Sequence, residues 1–379
     1  MPSPPEFSSA RPRKILVRGV NWLGDAVMTT PALQRLREAH PAAEIVLLTP
    51  VKLADLWKGH PAVNRVFTFE PRESVWSVGK RLRSESFDVA LVFPNSPRSA
   101  LETFLAEIPE RIGYRRPWRN AFLTRTIPPR PESAPMRKRS AAEIRALIRS
   151  PSATRTCFPD AAHHVHDYLY LAAALGANPT PLPPLIAVAP EEVESGAKLV
   201  PILRRHSGPV FGLNPGAEYG LAKRWPADRF VAAAVALHQQ TGCAWLIFGG
   251  AADRELVSRI EIQIGSAVSP NPILNLAGAT TLRQLCALLK RCDLLLTNDT
   301  GPMHLAAAVG TPVVVPFGST SPELTHPGIP GDARHQLLAS DVPCAPCFLR
   351  ECPIDFRCMK NITVEEVVAA ALRAGRIVS

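Results

Sequence analysis

The sequence predicts an α/β protein of two doubly wound, parallel-sheet domains facing across a cleft. Three observations carry that expectation. Short apolar runs alternate with helical stretches along most of the chain, the pattern of parallel strands covered on both faces. The alternation occurs twice, on either side of the proline-dense stretch 178–184. The 379 residues are too many for one ordinary core and fit two domains of average size.

Composition narrows the class. Hydrophobic residues make up 46% and charged residues 20%, which is globular, and no apolar run approaches the ~18 residues that cross a bilayer. The first residues are polar and Pro/Ser-rich, without an apolar signal core or a cleavage pattern, so 1–12 read as a disordered leader on a cytoplasmic protein.

In the first round, 14–20 is a strand, 21–25 a polar loop and 26–39 a helix. Strands follow at 44–49, 63–69, 88–93 and 111–114, with helices at 74–84 and 98–107, and a helix at 163–176 closes a domain spanning 13–178. Dense proline forces extended, semi-rigid chain, so 179–206 is a linker region. The second domain, 207–379, runs through strands at 210–214, 244–248, 273–276, 293–297 and 312–317. Helices at 228–240, 253–264, 282–291 and 303–309 lie between them, and a further helix ends the chain. Right-handed crossovers are expected throughout.

Ligand chemistry belongs at the carboxyl ends of such strands, where helix N-termini leave unpaired N–H groups and partial positive charge. Asn298-Asp299-Thr300-Gly301-Pro302-Met303-His304 follows one strand and opens a short helix, and a phosphate is its natural tenant. The N–H groups of Thr300 and Gly301 and the Thr300 hydroxyl can hold phosphate oxygens; Pro302 fits a first turn that does not need its missing donor. The alternative is that Asp299 merely caps the helix. A second loop, 215–226, carries Gly216 and Gly220 for tight turning and the cations Lys223 and Arg224. It also holds Trp225 to tuck it against the sheet and Pro226 to start the next helix. In a third, 248–253, paired glycines allow close approach of a nucleoside, and Asp253 either accepts ribose hydroxyls or caps a helix. Neither a GxGxxG fingerprint nor a Walker A sequence occurs.

The net charge of +10 sits in one segment: between Arg111 and Arg155, twelve basic residues face two acidic ones, and the rest of the chain balances. An anionic partner is one reading and a solvated loop the other. Aromatic interleaving is thin and no nucleic-acid module accompanies it, so nucleic acid is not the expected partner. Four of the eight cysteines form Cys344-x2-Cys347-x4-Cys352-x5-Cys358 in a proline-rich loop, 343–358. They could enclose a zinc ion, but the irregular spacing favours a packed, metal-free thiol cluster, and disulfides are disfavoured in a reducing cytoplasm.

Three separated motifs, in order, carry a resemblance that covers nearly the whole chain. They are Leu23-Gly24-Asp25-Ala26-Val27-Met28-Thr29-Thr30-Pro31, then Asn214-Pro215-Gly216-Ala217-Glu218 with Ala222-Lys223-Arg224-Trp225-Pro226, then the 298–304 loop. Together they resemble the ADP-heptose:lipopolysaccharide heptosyltransferases of glycosyltransferase family 9. The Gly216 to Gly220 loop and Cys344-Ala345-Pro346-Cys347 are most similar to the branch that adds the second heptose of the inner core.

The resemblance implies a GT-B type fold of two Rossmann-like domains, the first acceptor-side and the second nucleotide-sugar-binding. It implies inverting transfer of L-glycero-D-manno-heptose from ADP-heptose to the anionic heptosyl-Kdo-lipid A core, peripheral to the cytoplasmic surface of the inner membrane. Asp25 then serves as general base on the acceptor hydroxyl, though the residues alone balance that role against helix capping. Lys223, with Arg224 as rival, neutralises the diphosphate. Asp299 accepts from sugar hydroxyls, because like charges keep it off phosphate, and His304 donates to diphosphate or sugar or simply packs. Arg115, Arg137, Lys138 and Arg139 are acceptor-binding candidates. No Asp-x-Asp pair offers the usual divalent site, so metal need is open: none is required if Lys223 and the helix dipole replace it, and magnesium could still act as a stimulant. The competing readings are a family member extending another heptose, a nucleotide-sugar epimerase-like enzyme, and a non-enzymatic glycolipid-binding protein; Asp25 argues against the last.

Overall fold

The computed structural model describes residues 12–150, 152–201, 206–268, 272–329 and 331–375. Nearly all of the expected leader lies outside the described residues.

Two six-stranded parallel sheets form. The first contains β1 (Lys14–Arg18), β2 (Glu44–Pro50), β3 (Arg65–Phe69), β4 (Val89–Val92), β5 (Glu110–Tyr114) and β6 (Arg125–Ile127), in the order β3-β2-β1-β4-β5-β6. The second contains β7 (Val210–Asn214), β8 (Ala244–Ile247), β9 (Ile273–Asn275), β10 (Leu294–Thr297), β11 (Val313–Phe317) and β12 (Gln336–Ala339), in the order β12-β11-β10-β7-β8-β9. Each sheet thus grows outward in both directions from its first strand. The switch points fall between β1 and β4, where Ile15 registers with Val89, and between β7 and β10, where Asn214 registers with Thr297. A crevice opens at the carboxyl edge of such a point, so the loops after β1, β7 and β10 are the ones placed to meet a ligand.

Between the strands lie α1 (Leu23–Met28), α2 (Thr30–Ala39), α3 (Val75–Arg83), α4 (Pro97–Leu105), α5 (Ala141–Arg149), α6 (Val165–Ala173), α7 (Pro190–Lys198), α8 (Ala227–Thr241), α9 (Arg254–Ala267), α10 (Leu282–Arg291), α11 (Gly301–Val309) and α12 (Val364–Ala374). The single helix expected over 26–39 is broken at Thr29: the Thr29 and Thr30 hydroxyls donate back to the carbonyls of Ala26 and Val27, and Pro31 cannot supply a mid-helix donor. Strands β6 and β12 were not expected, being only three and four residues long. Helices α5 and α7 were also missed, although a capping box spans Ser140 and Glu143 ahead of one, and Pro190 with Glu192 opens the other.

The chain divides into two compact units, one of residues up to 133 with 161–187, the other of 134–160 with 188–379. These boundaries differ from 13–178, 179–206 and 207–379 at two places. Residues 134–160 belong to the second unit because α5 inserts Ile144, 1% exposed, into the core with Phe211, Trp245 and Phe230. Backbone N–H groups of Arg139 and Thr156 also donate to the carbonyls of Cys347 and Ala345. The proline stretch is tied to the first unit, where Gln34 and Arg35 donate to the carbonyls of Pro183 and Thr180, and Leu185 donates to the Thr30 hydroxyl.

Candidate active site

In the second unit the ends of β7 and β10 are stitched by side chains. Asn214 Nδ2 donates to Thr297 Oγ1 at 3.0 Å and to Thr300 Oγ1 at 3.2 Å. Fully buried Asn298 accepts the Trp225 N–H at 2.9 Å and donates to the carbonyls of Pro215 (2.8 Å) and Gly216 (3.3 Å). One asparagine therefore latches the 215–226 loop to the 298–300 loop, a role the sequence reading did not see. Trp225 anchors the first loop as expected, its Nε1 donating to Ile362 O and its ring edge-on to Phe230. Pro226 stands one residue earlier than expected, at the N-cap of α8.

Lys223 lies in a single 3-10 turn, Leu221–Lys223, and its Nζ reaches Asp299 Oδ2 at 2.6 Å. Thr320 Oγ1 donates to the same oxygen at 2.7 Å. Burial alone would raise the Asp299 carboxyl, but the charge and hydrogen bond of Lys223, the Thr320 hydroxyl and the nearby His304 outweigh it and hold the group below its ordinary value. Such a depressed carboxylate stabilises the fold above its unfolded value near ~4 and loses that contribution as pH falls through the lower folded value. The melting difference between the wild-type chain and Asp299→Asn should therefore persist from pH 7 to about 4 and shrink only below. A difference that is constant down to pH 2 would refute the ionised pair.

The Lys223 loop is braced from outside. Tyr219 donates its hydroxyl to Phe348 O at 2.8 Å, and its ring lies 5.1 Å from Lys223 Nζ and 5.2 Å from the Arg350 guanidinium. Ala222 N–H donates to Arg350 O, and Gly220, at φ +152°, passes so close to that carbonyl that a Cβ would overlap it. The cysteine loop thus fixes the position of Lys223.

Asp299 is not the cap of α11. The N-cap is Thr300, its side chain makes no capping bond, and Pro302 occupies the first turn. No side-chain cap takes up a donor at the start of α11, although the Met303 N–H is given to Thr300 O, and Thr300, Gly301, Lys223 and Asp299 gather at one point with His304, largely buried, in the first turn. Asp253 is committed elsewhere: Oδ1 pairs with Arg224 Nη2 at 3.2 Å, Oδ2 accepts the Gly250 N–H, and its carboxyl fills the space beside Gly216. Asp253 stands at the N-cap position of α9, but its side chain bonds no N–H group of that helix. Lys223 and its rival Arg224 are thus each paired with an aspartate, Lys223 with Asp299 and Arg224 with Asp253.

In the first unit, Asp25 lies within the first turn of α1, whose N-cap is Trp22, so the capping alternative does not hold. The carboxylate is half-buried, and α6 brings Tyr168 within its field: burial, then the charges of Asp25 and Asp167, raise the Tyr168 hydroxyl well above its ordinary value. The loop before α1 is set by a group that sequence reasoning missed. Arg18, at the end of β1 and fully buried, pairs through Nε with buried Glu102 of α4 at 2.8 Å. Its Nη1 donates to Gly19 O and to Asn21 Oδ1, and its guanidinium lies 4.4 Å from the centre of the Phe69 ring.

Residues 75–356 match the glycosyltransferase family 9 (heptosyltransferase) model. The chain belongs to glycosyltransferase family 9. This transferase is 31% identical to the lipooligosaccharide heptosyltransferase 2 of Haemophilus ducreyi over 83% of this chain and 86% of that one. It is likewise 31% identical to the lipopolysaccharide heptosyltransferase 2 of Escherichia coli K12, over 83% and 85%. The solved structure of the E. coli ADP-heptose lipopolysaccharide heptosyltransferase II superposes with a TM-score of 0.73 at 27% identity, covering 96% of this chain and 99% of that one. The two parallel sheets and their helices are accordingly those of the GT-B fold.

The expected acceptor residues of the transferase fall in both units. Arg115 is exposed after β5 in the first unit, whereas Arg137, Lys138 and Arg139 lie in the second. Arg137 pairs with Glu143 of α5, and Arg139 donates to Pro343 O and Thr156 Oγ1, so two of the three are engaged within their own unit. Cys344, Cys347, Cys352 and Cys358 line one small cavity as free thiols. Burial, then the neighbouring thiols, pushes Cys358 up to about 12. Among the described residues no group of three or more His, Cys, Asp or Glu side chains is placed to hold a metal ion.

Proposed function

We propose that this transferase moves a heptose from ADP-heptose to the heptosyl-Kdo-lipid A inner core, as an inverting enzyme with Asp25 as its base. The observation that carries the donor half is the cluster of Lys223, Asp299, Thr320 and Thr300 at the uncapped N-terminus of α11, latched by Asn298. A nucleotide diphosphate suits it: the helix end and Lys223 supply counter-charge, and Asp299 holds Lys223 in place. In this reading the Asp299 carboxylate positions the lysine and offers its second oxygen to a sugar hydroxyl.

The chemistry is a single displacement. The acceptor hydroxyl gives its proton to Asp25 as its oxygen bonds to the anomeric carbon, while the bond from that carbon to the diphosphate oxygen breaks and ADP leaves with the electron pair. Charge on the departing diphosphate is met by Lys223 and the α11 dipole, so the protein's own groups supply the neutralisation in this reading. Lys223→Met should lower turnover about 100-fold with ADP-heptose, the range for loss of one preorganised charge donor. Unchanged turnover in that variant would move the diphosphate elsewhere.

The choice of the second heptose rests on the relatives. Two named heptosyltransferase 2 are 31% identical, while a Pseudomonas aeruginosa heptosyltransferase 1 is 26% and an E. coli heptosyltransferase 3 is 25%. Mass spectrometry of the products from acceptors carrying no, one or two heptoses decides it. Extension of the one-heptose acceptor is the expected result.

A further inference from the structure

In the first unit α3 and α4 cross closely, because Gly79 leaves no side chain between them; a Cβ there would lie 2.6 Å from Leu105 Cβ. The inner face of α3 buries Val78, Gly79 and Leu82. Its outer face presents Trp76, Lys80 and Arg83, spaced i, i+4 and i+7 and hence one stripe. Trp76 is 70% exposed and Phe104 of α4 43%. Between them runs a half-open groove of about 490 Å³, lined also by Ile108 and Arg111. Arg111 stacks its guanidinium over Phe104 at 5.4 Å and is fixed by donating to the carbonyls of Phe122 and Ile108. Three cations thus border two exposed aromatic rings, against one carboxylate, Glu107, which pairs with Arg83 in an exposed contact of small worth.

We propose that this groove face docks onto an anionic phospholipid bilayer. Aromatic rings with a polar or cationic rim settle at the headgroup boundary, where apolar rings leave water and cations meet phosphate. The charge is complementary: Lys80, Arg83 and Arg111 face the phosphates while Trp76 and Phe104 enter the headgroup layer. None of the residues lining the groove belongs to the α1 turn that carries Asp25, and the Arg137 to Arg139 segment belongs to the second unit, where two of its cations are engaged. The inference rests on the functional reading only in that a lipid-linked acceptor gives the docking its use.

The test is sedimentation of the full chain with phosphatidylglycerol–phosphatidylcholine vesicles and with phosphatidylcholine alone. The wild type should bind the first, less tightly as salt rises, and Lys80→Gln/Arg83→Gln should bind about 25-fold more weakly, at roughly fivefold per cation. Trp76→Ala should also lose binding. Both variants should fold normally, since the three side chains are exposed, and should process a deacylated, water-soluble acceptor at the wild-type rate. Vesicle binding that is equal in variant and wild type, or indifferent to lipid charge, overturns the proposal. So does lipid-free self-association that Trp76→Ala abolishes, which would assign the face to a second copy of the chain. Failure to use any heptose acceptor while vesicle binding behaves as expected would instead overturn the functional reading alone.

Discussion

Replacing Asp25 by Asn is expected to lower turnover by about 10²–10⁴-fold, the contribution of a positioned general base, while nucleotide binding stays intact. The exchange keeps the side chain's shape and removes only the group that takes the proton. A pure stability role is separable because Trp22, not Asp25, is the N-cap of α1, so the variant should keep its folded stability within about 1 kcal/mol. Turnover with ADP-heptose, nucleotide titration and thermal melting on the same preparation read the three quantities. Activity that survives the exchange, or a large melting loss with activity intact, would remove Asp25 from the chemistry.

Glu102→Ala is expected to cost about 3–5 kcal/mol of stability, because it strands the buried Arg18 guanidinium without its counter-charge. The penalty is not simply that of one hydrogen bond. Arg98 also pairs with Glu102, at 3.0 Å, so the deletion leaves two cations near one another with no carboxylate between them. Arg18 further holds Gly19 and Asn21, which lead into the turn that carries Asp25, so activity should fall beyond what the unfolded fraction explains. Denaturant melts give the first effect and turnover at a temperature well below the transition gives the second. The double variant Arg18→Met/Glu102→Met should recover most of the stability, since it leaves no buried charge unpaired, but not the loop position. A Glu102→Ala chain that melts like the wild type would show the pair to be energetically idle.

The architecture was legible because buried parallel strands write themselves as apolar runs. Leu294 to Thr297 or Val313 to Phe317 can hardly be anything else. What escaped were elements whose identity is set by neighbours distant in sequence. β6, Arg-Thr-Ile, is a strand only because β5 offers it an edge. α5 was hidden in a cationic stretch read for its charge, although its capping box was in view. The site shows the same division. The loops proposed to carry Lys223, Thr300 and Asp25 are local motifs visible in the sequence, whereas Arg18 and Glu102 are 84 residues apart and neither is unusual alone. Asn298 was in the motif but overlooked beside Asp299, since its work is done through backbone groups of a loop some eighty residues earlier.

The excursion of residues 134–160 into the second unit's core has a consequence for anyone dissecting this enzyme. A single cut at the proline stretch would yield a front fragment dragging along a greasy helix it cannot house, and a rear fragment with a hole where Ile144 belongs. Chimeras that exchange donor specificity between relatives therefore need three junctions, near 133, 160 and 187, rather than one. During synthesis the ribosome likewise delivers that helix long before its berth exists.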